Sequence, residues 1–150
     1  MPVIIKTEGN ICDDGSDAIV SDVCCSGAPN GPLHKQFAKR FPINEEKYKK
    51  ACSEGKIKPG RIFSTTEGDM FGAWHILNFP TRVKPGEASS EELISSGLDD
   101  LIKQIKLYKI KTIAVPALGC GAGKMKFEQI QPLIESKLGA IEGLTVFLYK

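Results

Sequence analysis

The chain lacks the long hydrophobic runs that would mark a membrane protein or a secreted precursor. No apolar stretch in its 150 residues approaches the roughly 20 residues that a membrane-spanning helix needs. The opening residues, MPVIIKTEGN, contain neither the basic segment nor the long apolar segment of a secretory signal peptide. We therefore expect a cytoplasmic protein that makes no contact with a membrane.

Cysteine and histidine are also too scarce for a disulfide framework or a structural zinc site. The sequence has five cysteines, an odd number without any CxxC pair, and only two histidines. We expect reduced thiols, most of them buried as small apolar side chains. The composition predicts neither a metal ion nor another cofactor.

The net charge of the chain is close to zero, but the charged residues are unevenly distributed along it. The chain carries +2, whereas residues 34–61 contain nine basic and three acidic residues and carry +6. Such a segment can meet the phosphates of a nucleic acid. The alternative is a lysine-rich helical face that is simply solvated.

Strand-like and helix-like segments alternate along the chain, and this alternation predicts the fold class. Short apolar or β-branched segments predict strands at 3–6, 17–24, 112–118 and 144–149, and a hairpin between 60 and 81. Helical periodicity fills the intervals. We predict that Asn44 caps the second helix and that Ser89 and Glu92 form a capping box at the third. The pattern indicates a single α/β domain over 1–150, with a central mixed sheet and helices on both faces.

Two predicted strands end in glycine-rich loops that open helices. The first loop (residues 25–31) reads CSGAPNG, and the second loop (residues 119–124) reads GCGAGK. Ligands of open α/β sheets bind beyond the carboxyl ends of the strands, where backbone N–H groups of such loops can hold phosphate. Two loops that face each other suit a pyrophosphate, and the alternative is a pair of tight connections.

The second loop fits neither common nucleotide motif. A P-loop needs one more residue between Gly119 and Gly123, and a hydroxyl residue where Met125 stands. The dinucleotide motif fails because Lys124 occupies its last glycine position. The sequence contains no GxSxG or HExxH motif and no paired-carboxylate pattern. An NTPase and a nicotinamide dehydrogenase are therefore disfavoured.

Five stretches of the chain together resemble a macrodomain. They are EGNICDDGSDAIVSDVCC, HKQFAKRFP, KPGRIF, HILNFPT and IAVPALGCGAG, in matching order from about Thr7 to Tyr149. The chain is most similar to the branch that contains the DarG DNA ADP-ribosyl glycohydrolase antitoxins and the terminal ADP-ribose protein glycohydrolase. This resemblance implies a three-layer α/β/α macrodomain fold and ADP-ribose, or an ADP-ribosylated substrate, as the ligand.

The resemblance also assigns ligand-binding residues by position. The full set consists of Asn10 and Ile11 at the adenine; Ser21, Gly27, Ala28, Asn30 and Gly31 on the distal-ribose and diphosphate side; Phe79, Pro80 and Thr81 beneath the pocket; and Gly119, Cys120, Gly121, Ala122 and Gly123 in the second loop.

This chain departs from the family pattern at positions where the family's glycohydrolases carry the residues that cleave the glycosidic bond or contact the ribose beside it. Arg82 follows FPT where the glycohydrolases have a catalytic lysine, and Cys24 stands where an asparagine contacts the distal ribose. Gly123 stands where the human-type enzyme has an acid. An arginine stays protonated and cannot attack as a neutral amine does. Arg82 and Cys24 are the candidate catalytic residues at these altered positions.

Three hypotheses about function remain open at this stage. The first is an ADP-ribosyl glycohydrolase that acts on nucleic acid, met through segment 34–61, or on protein. The second is binding of ADP-ribose without turnover, which Arg82, Cys24 and Gly123 favour. The third, from another class, is a thiol-dependent enzyme that uses Cys24 or Cys120 at a glycine-rich loop.

Overall fold

The computed structural model describes residues 3–69 and 72–150, and in these ranges it contains six strands and four α-helices. The strands are β1 (Val3–Lys6), β2 (Ala18–Cys24), β3 (Phe63–Asp69), β4 (Gly72–Arg82), β5 (Thr112–Val115) and β6 (Thr145–Tyr149). The helices are α1 (Pro32–Arg40), α2 (Pro42–Ser53), α3 (Glu91–Leu107) and α4 (Phe127–Lys137). The predicted hairpin is confirmed by β3 and β4, although residues 70 and 71 of its turn lie outside the described residues.

The strands form one mixed sheet in the order β1-β6-β5-β2-β4-β3. Neighbouring strands are parallel except β3, which pairs antiparallel with β4. The carboxyl ends of β2, β5 and β6 therefore lie at the same edge of the sheet. Both glycine-rich loops leave the sheet at this edge, one after β2 and the other after β5.

Helices cover both faces of the sheet, which confirms the three-layer prediction. Successive residues of β2 point to opposite faces because side chains alternate along a strand. Val20 packs with the apolar faces of α3 and α4, whereas Ile19 packs with Phe37 of α1. Tyr48 of α2 covers the end of β2 near Val23. Within the described ranges, no helix combines the length and apolarity that crossing a membrane requires.

Two predicted helix starts are wrong, and both polar residues have other contacts. Helix α2 begins at Pro42, so Asn44 lies inside its first turn, where its side chain bonds to Thr65 and Asn78. The cap of α3 is Ser90, whose hydroxyl accepts a hydrogen bond from the Leu93 N–H. Ser89, one residue earlier, packs behind the second loop instead.

Candidate functional site

A cleft of about 410 Å3 opens at the carboxyl edge of the sheet. The first loop and the start of α1 form one wall, and the second loop with the preceding Pro116 and Ala117 forms the opposite wall. Residues 9–11 and the end of β6 close one end. The volume falls in the range of small-molecule sites, about 300–1,000 Å3.

The second loop presents free backbone donors to this cleft. Within the described part of the chain, the N–H groups of Gly121, Ala122 and Gly123 donate to no acceptor, whereas the flanking residues are bonded. The Cys120 N–H donates to the Ala117 carbonyl oxygen at 3.1 Å, and the Lys124 N–H donates to that of Gly121 at 3.0 Å. Consecutive free N–H groups in a turn make a concave site for an anion.

The space available for a side chain differs between two glycines of the second loop. A Cβ atom at Gly123 would lie 2.6 Å from the Gly119 carbonyl oxygen and 3.0 Å from the Ser89 Cβ. A Cβ atom at Gly121 would meet nothing within 4 Å. The backbone therefore has no room for the acid that the human-type enzyme carries after this loop.

Alanine substitutions at these two glycines are expected to affect the stability of the protein differently. Gly123→Ala forces the loop against its own backbone, so we expect the free energy of unfolding to fall by about 1–3 kcal/mol. Gly121→Ala, the matched control, is expected to change it by less than about 0.5 kcal/mol. Urea unfolding of the two variants measures the difference, and equal stabilities would contradict this packing.

The first loop is anchored by a histidine that the sequence analysis leaves unassigned. The buried His34 accepts a hydrogen bond on Nδ1 from the Asn30 N–H at 3.0 Å. Its Nε2 therefore carries the hydrogen and donates to Glu45 Oε1 at 2.9 Å. This chain of contacts ties the cleft wall to α2.

Asp22 is the cleft residue with the most elaborate set of partners, and the sequence analysis missed it. Its Oδ1 accepts hydrogen bonds from Asn30 Nδ2, at 2.6 Å, and from the Thr81 hydroxyl. Its Oδ2 accepts one from the Gly119 N–H at 2.8 Å. Burial raises the pKa of Asp22 to about 6, against the opposing effects of these hydrogen bonds and of Arg82. Asp22 thereby links the two loops and β4.

Arg82 and Cys24, the two candidate catalytic residues, lie opposite each other in neighbouring strands and outside the cleft lining. Arg82 is 6% exposed, and its Nε donates to Asn30 Oδ1 at 2.9 Å. Cys24 is fully buried, and its carbonyl oxygen accepts from the Tyr48 hydroxyl. The geometry gives Arg82 a positioning contact to the first loop, and the catalytic assignment of both residues stays a prediction.

The remaining predicted ligand residues fall into three groups. Those that line the cleft are Asn10, Ile11, Asn30, Gly31, Cys120, Gly121 and Ala122. Thr81 and Gly119 bond to Asp22 just behind this surface. Outside the lining lie Ser21, Gly27, Ala28, Phe79, Pro80 and Gly123. Phe79 is a core residue whose ring packs directly against Gly97 of α3.

The closed end of the cleft combines the predicted residues Asn10 and Ile11 with three residues that the sequence analysis missed, Gln36, Tyr149 and Lys150. Asn10 Nδ2 donates to Gln36 Oε1 at 2.9 Å, and its Oδ1 accepts from the Cys12 N–H. Tyr149 and Lys150 complete the end. Tyr149 and Lys150 were missed because the sequence does not show that β6 pairs with β5. Since the two strands are parallel, the last residues of β6 lie at the same edge of the sheet as the second loop.

The thiols are unsuited to nucleophilic chemistry at neutral pH. Burial, with Asp22 and Glu128 nearby, raises the pKa of Cys120 to about 11, so this cleft residue remains a thiol. Cys24 has no exposure to solvent. This disfavours the thiol-enzyme hypothesis. Among the described residues, no group of three or more histidine, cysteine, aspartate and glutamate side chains could hold a metal ion.

Comparison with known proteins gives concordant matches over most of the chain. The family model described as the Macro domain matches residues 22–134. The DNA ADP-ribosyl glycohydrolase of Thermus aquaticus is 33% identical over 142 residues, which are 95% of this chain and 39% of that relative. The DNA ADP-ribosyl glycohydrolase of Mycobacterium tuberculosis is 31% identical over 147 residues, which are 98% of this chain and 42% of that relative. The chain thus spans about two fifths of the length of these curated relatives.

A solved structure supports the same assignment over the whole fold. The macrodomain of Mycobacterium tuberculosis DarG superposes with a TM-score of 0.92 at 30% sequence identity. The match covers 98% of this chain and 97% of that one.

Proposed function

Because the chain belongs to the macrodomain family, we propose that its cleft binds ADP-ribose, free or attached to a macromolecule. The observation that carries this proposal is the run of free N–H groups in the second loop, where Gly121 and Ala122 line the cleft opposite the first loop. Backbone donors of this kind hold phosphate without a cationic side chain. The diphosphate would lie between the two loops.

The two ends of the cleft would then hold the two nucleoside halves of the ligand. Asn10 and Ile11 would contact the adenine at the closed end, where Tyr149 offers an aromatic ring and Gln36 further polar atoms. The distal ribose would extend past Asn30 and Gly31 of the first loop. This arrangement follows the order in which the family resemblance assigns the predicted ligand residues.

Removal of ADP-ribose from DNA is the activity that we infer from the relatives. Both curated relatives are named DNA ADP-ribosyl glycohydrolases and align with nearly all of this chain. Arg82 favours the second candidate, binding without turnover, because its side chain is buried against Asn30 instead of reaching into the cleft. A hydrolase of this architecture would need a water molecule, positioned by the ligand's own phosphates, as the nucleophile.

A basic surface beside the first loop would suit a nucleic-acid substrate. Lys35 and Lys49 border a groove of about 170 Å3 together with Gly27 and Pro29 of the first loop. Both lysines are exposed, as are most other basic residues of segment 34–61. We infer that this segment guides the DNA strand that carries the ADP-ribose. The five free thiols fit a cytoplasmic location for such a protein.

A side-by-side turnover assay distinguishes the two candidate functions. We expect ADP-ribose release from ADP-ribosylated DNA to exceed release from ADP-ribosylated protein, and to fall as salt rises, because cations of segment 34–61 would contact DNA phosphates. The released nucleotide is measured by chromatography. Measurable ADP-ribose binding without release from either substrate would identify the chain as a binding domain.

A further inference from the structure

Building on the ADP-ribose function proposed above, we propose that Asp22 binds the ligand's diphosphate as a neutral carboxylic acid that donates a hydrogen bond from Oδ2. The family resemblance assigns no role to this residue. Asp22 lines the same cleft as Asn30 of the first loop and Gly121 of the second loop. Its carboxyl group therefore lies between the two walls that would hold the diphosphate.

The hydrogen-bond pattern identifies which oxygen is available to the ligand. Each carboxylate oxygen can accept about two hydrogen bonds. Oδ1 already accepts two, from Asn30 and Thr81, whereas Oδ2 accepts only one from the described residues, the Gly119 N–H. A proton on Oδ2 leaves all three contacts intact. It also gives this oxygen a donor for one further partner.

An ionised Asp22 would conflict with the proposed ligand. A carboxylate beside a diphosphate places like charges together with little water between them, and this disfavours the charged form of the carboxyl group. In the free protein, burial already raises the pKa of Asp22 to about 6. A bound diphosphate would raise the pKa further, so that the acid form persists at neutral pH.

Other charged and titratable groups around Asp22 come from several elements. Arg82 of β4 lowers the pKa of Asp22, and Cys120 of the second loop remains a thiol. Tyr149 and Lys150 lie at the far end of the same cleft. The first loop contributes the neutral amide of Asn30, which His34 of α1 contacts through the backbone.

The predicted consequence is proton uptake upon binding. At pH 7.5 the free carboxyl group is ionised, since its pKa of about 6 lies below the solution pH. Formation of the acid then takes about one proton from solution for each ADP-ribose bound. Affinity should fall by about tenfold for each pH unit above the free pKa, as long as the pKa in the complex stays higher. Below the free pKa, the affinity should level off.

Calorimetry with ADP-ribose measures this coupling directly. Titrations at pH 7.5 in PIPES, HEPES and Tris, whose ionisation enthalpies differ, give the number of protons taken up. We expect a value near one for the wild-type protein and near zero for Asp22→Asn. Asp22→Thr provides a second variant with no titrating group at this position. The affinity of both variants should depend little on pH between 6 and 8.

The possible outcomes separate this proposal from the function on which it rests. Wild-type binding without proton uptake, or uptake that persists in Asp22→Asn and Asp22→Thr, overturns the role of Asp22. If neither the wild type nor the variants bind ADP-ribose at any pH from 5.5 to 8, the proposed function is contradicted, and the role of Asp22 with it.

Discussion

Gly121→Phe is expected to weaken ADP-ribose binding at least about 100-fold, which corresponds to about 2.8 kcal/mol at 25 °C. Gly121 lines the cleft, and a Cβ atom there meets no other atom within 4 Å. Its φ angle lies outside the left-handed region, so a larger residue needs no change of backbone. The phenyl ring would occupy the space that the diphosphate needs. Calorimetric titration with ADP-ribose measures the loss.

Gly15→Phe is the matched control for this substitution. A Cβ atom at Gly15 would also meet nothing within 4 Å, and its φ angle is not left-handed, but this glycine lies outside the ADP-ribose cleft. We expect wild-type affinity for Gly15→Phe and native thermal unfolding for both variants. Equal affinity of Gly121→Phe and the wild type would refute the assignment of the second loop.

Arg82→Leu is expected to lower the free energy of unfolding by about 2–4 kcal/mol, because it leaves buried polar groups without their partner. Asn30 Oδ1 loses the hydrogen bond from Arg82 Nε, and the Asp22 carboxyl loses its neighbouring positive charge. The first loop would lose its side-chain hydrogen bond to β4, so ADP-ribose affinity should fall as well. Urea unfolding and calorimetry measure the two effects.

Arg61→Leu controls for the removal of an arginine from the exposed surface. Arg61 is exposed, and we expect its replacement to change stability by less than about 0.5 kcal/mol. Arg82→Lys asks a separate question, because it restores the residue type that the family's glycohydrolases carry. A lysine buried at this position should not raise turnover above that of the wild type; a gain of activity would contradict the positioning role of Arg82.

The arrangement of strands and loops could be predicted because it depends on local patterns. Apolar β-branched segments marked β2 and β5, and the glycines that follow each strand marked the two loops. The parallel arrangement of such strands then brings both loops to one edge of the sheet. The alternation of strand-like and helix-like segments indicated helices on both faces. These features need no knowledge of distant contacts.

Asp22, Asn44 and Ser89 show what the local pattern could not provide. Asp22 was missed because its importance arises from Thr81 and Gly119, which are distant in sequence. Asn44 and Ser89 have the residue types of helix caps, but the Asn44 side chain bonds to Asn78, and the backbone N–H of Ser89 donates to the Gly123 carbonyl oxygen of the second loop. Arg82 was assigned to chemistry by its position after FPT, whereas its contact with Asn30 depends on how the first loop folds back.

Amide chemical shifts during titration with ADP-ribose test the central claim most directly. In a 15N-labelled sample, we predict the largest shifts at Gly121 and Ala122, whose free N–H groups would bond to the diphosphate, with further shifts at Asn10 and Ile11. Gly15 should not move. Saturable binding that leaves the second loop unshifted, or that shifts a different face of the protein, would contradict the placement of the diphosphate between the two loops.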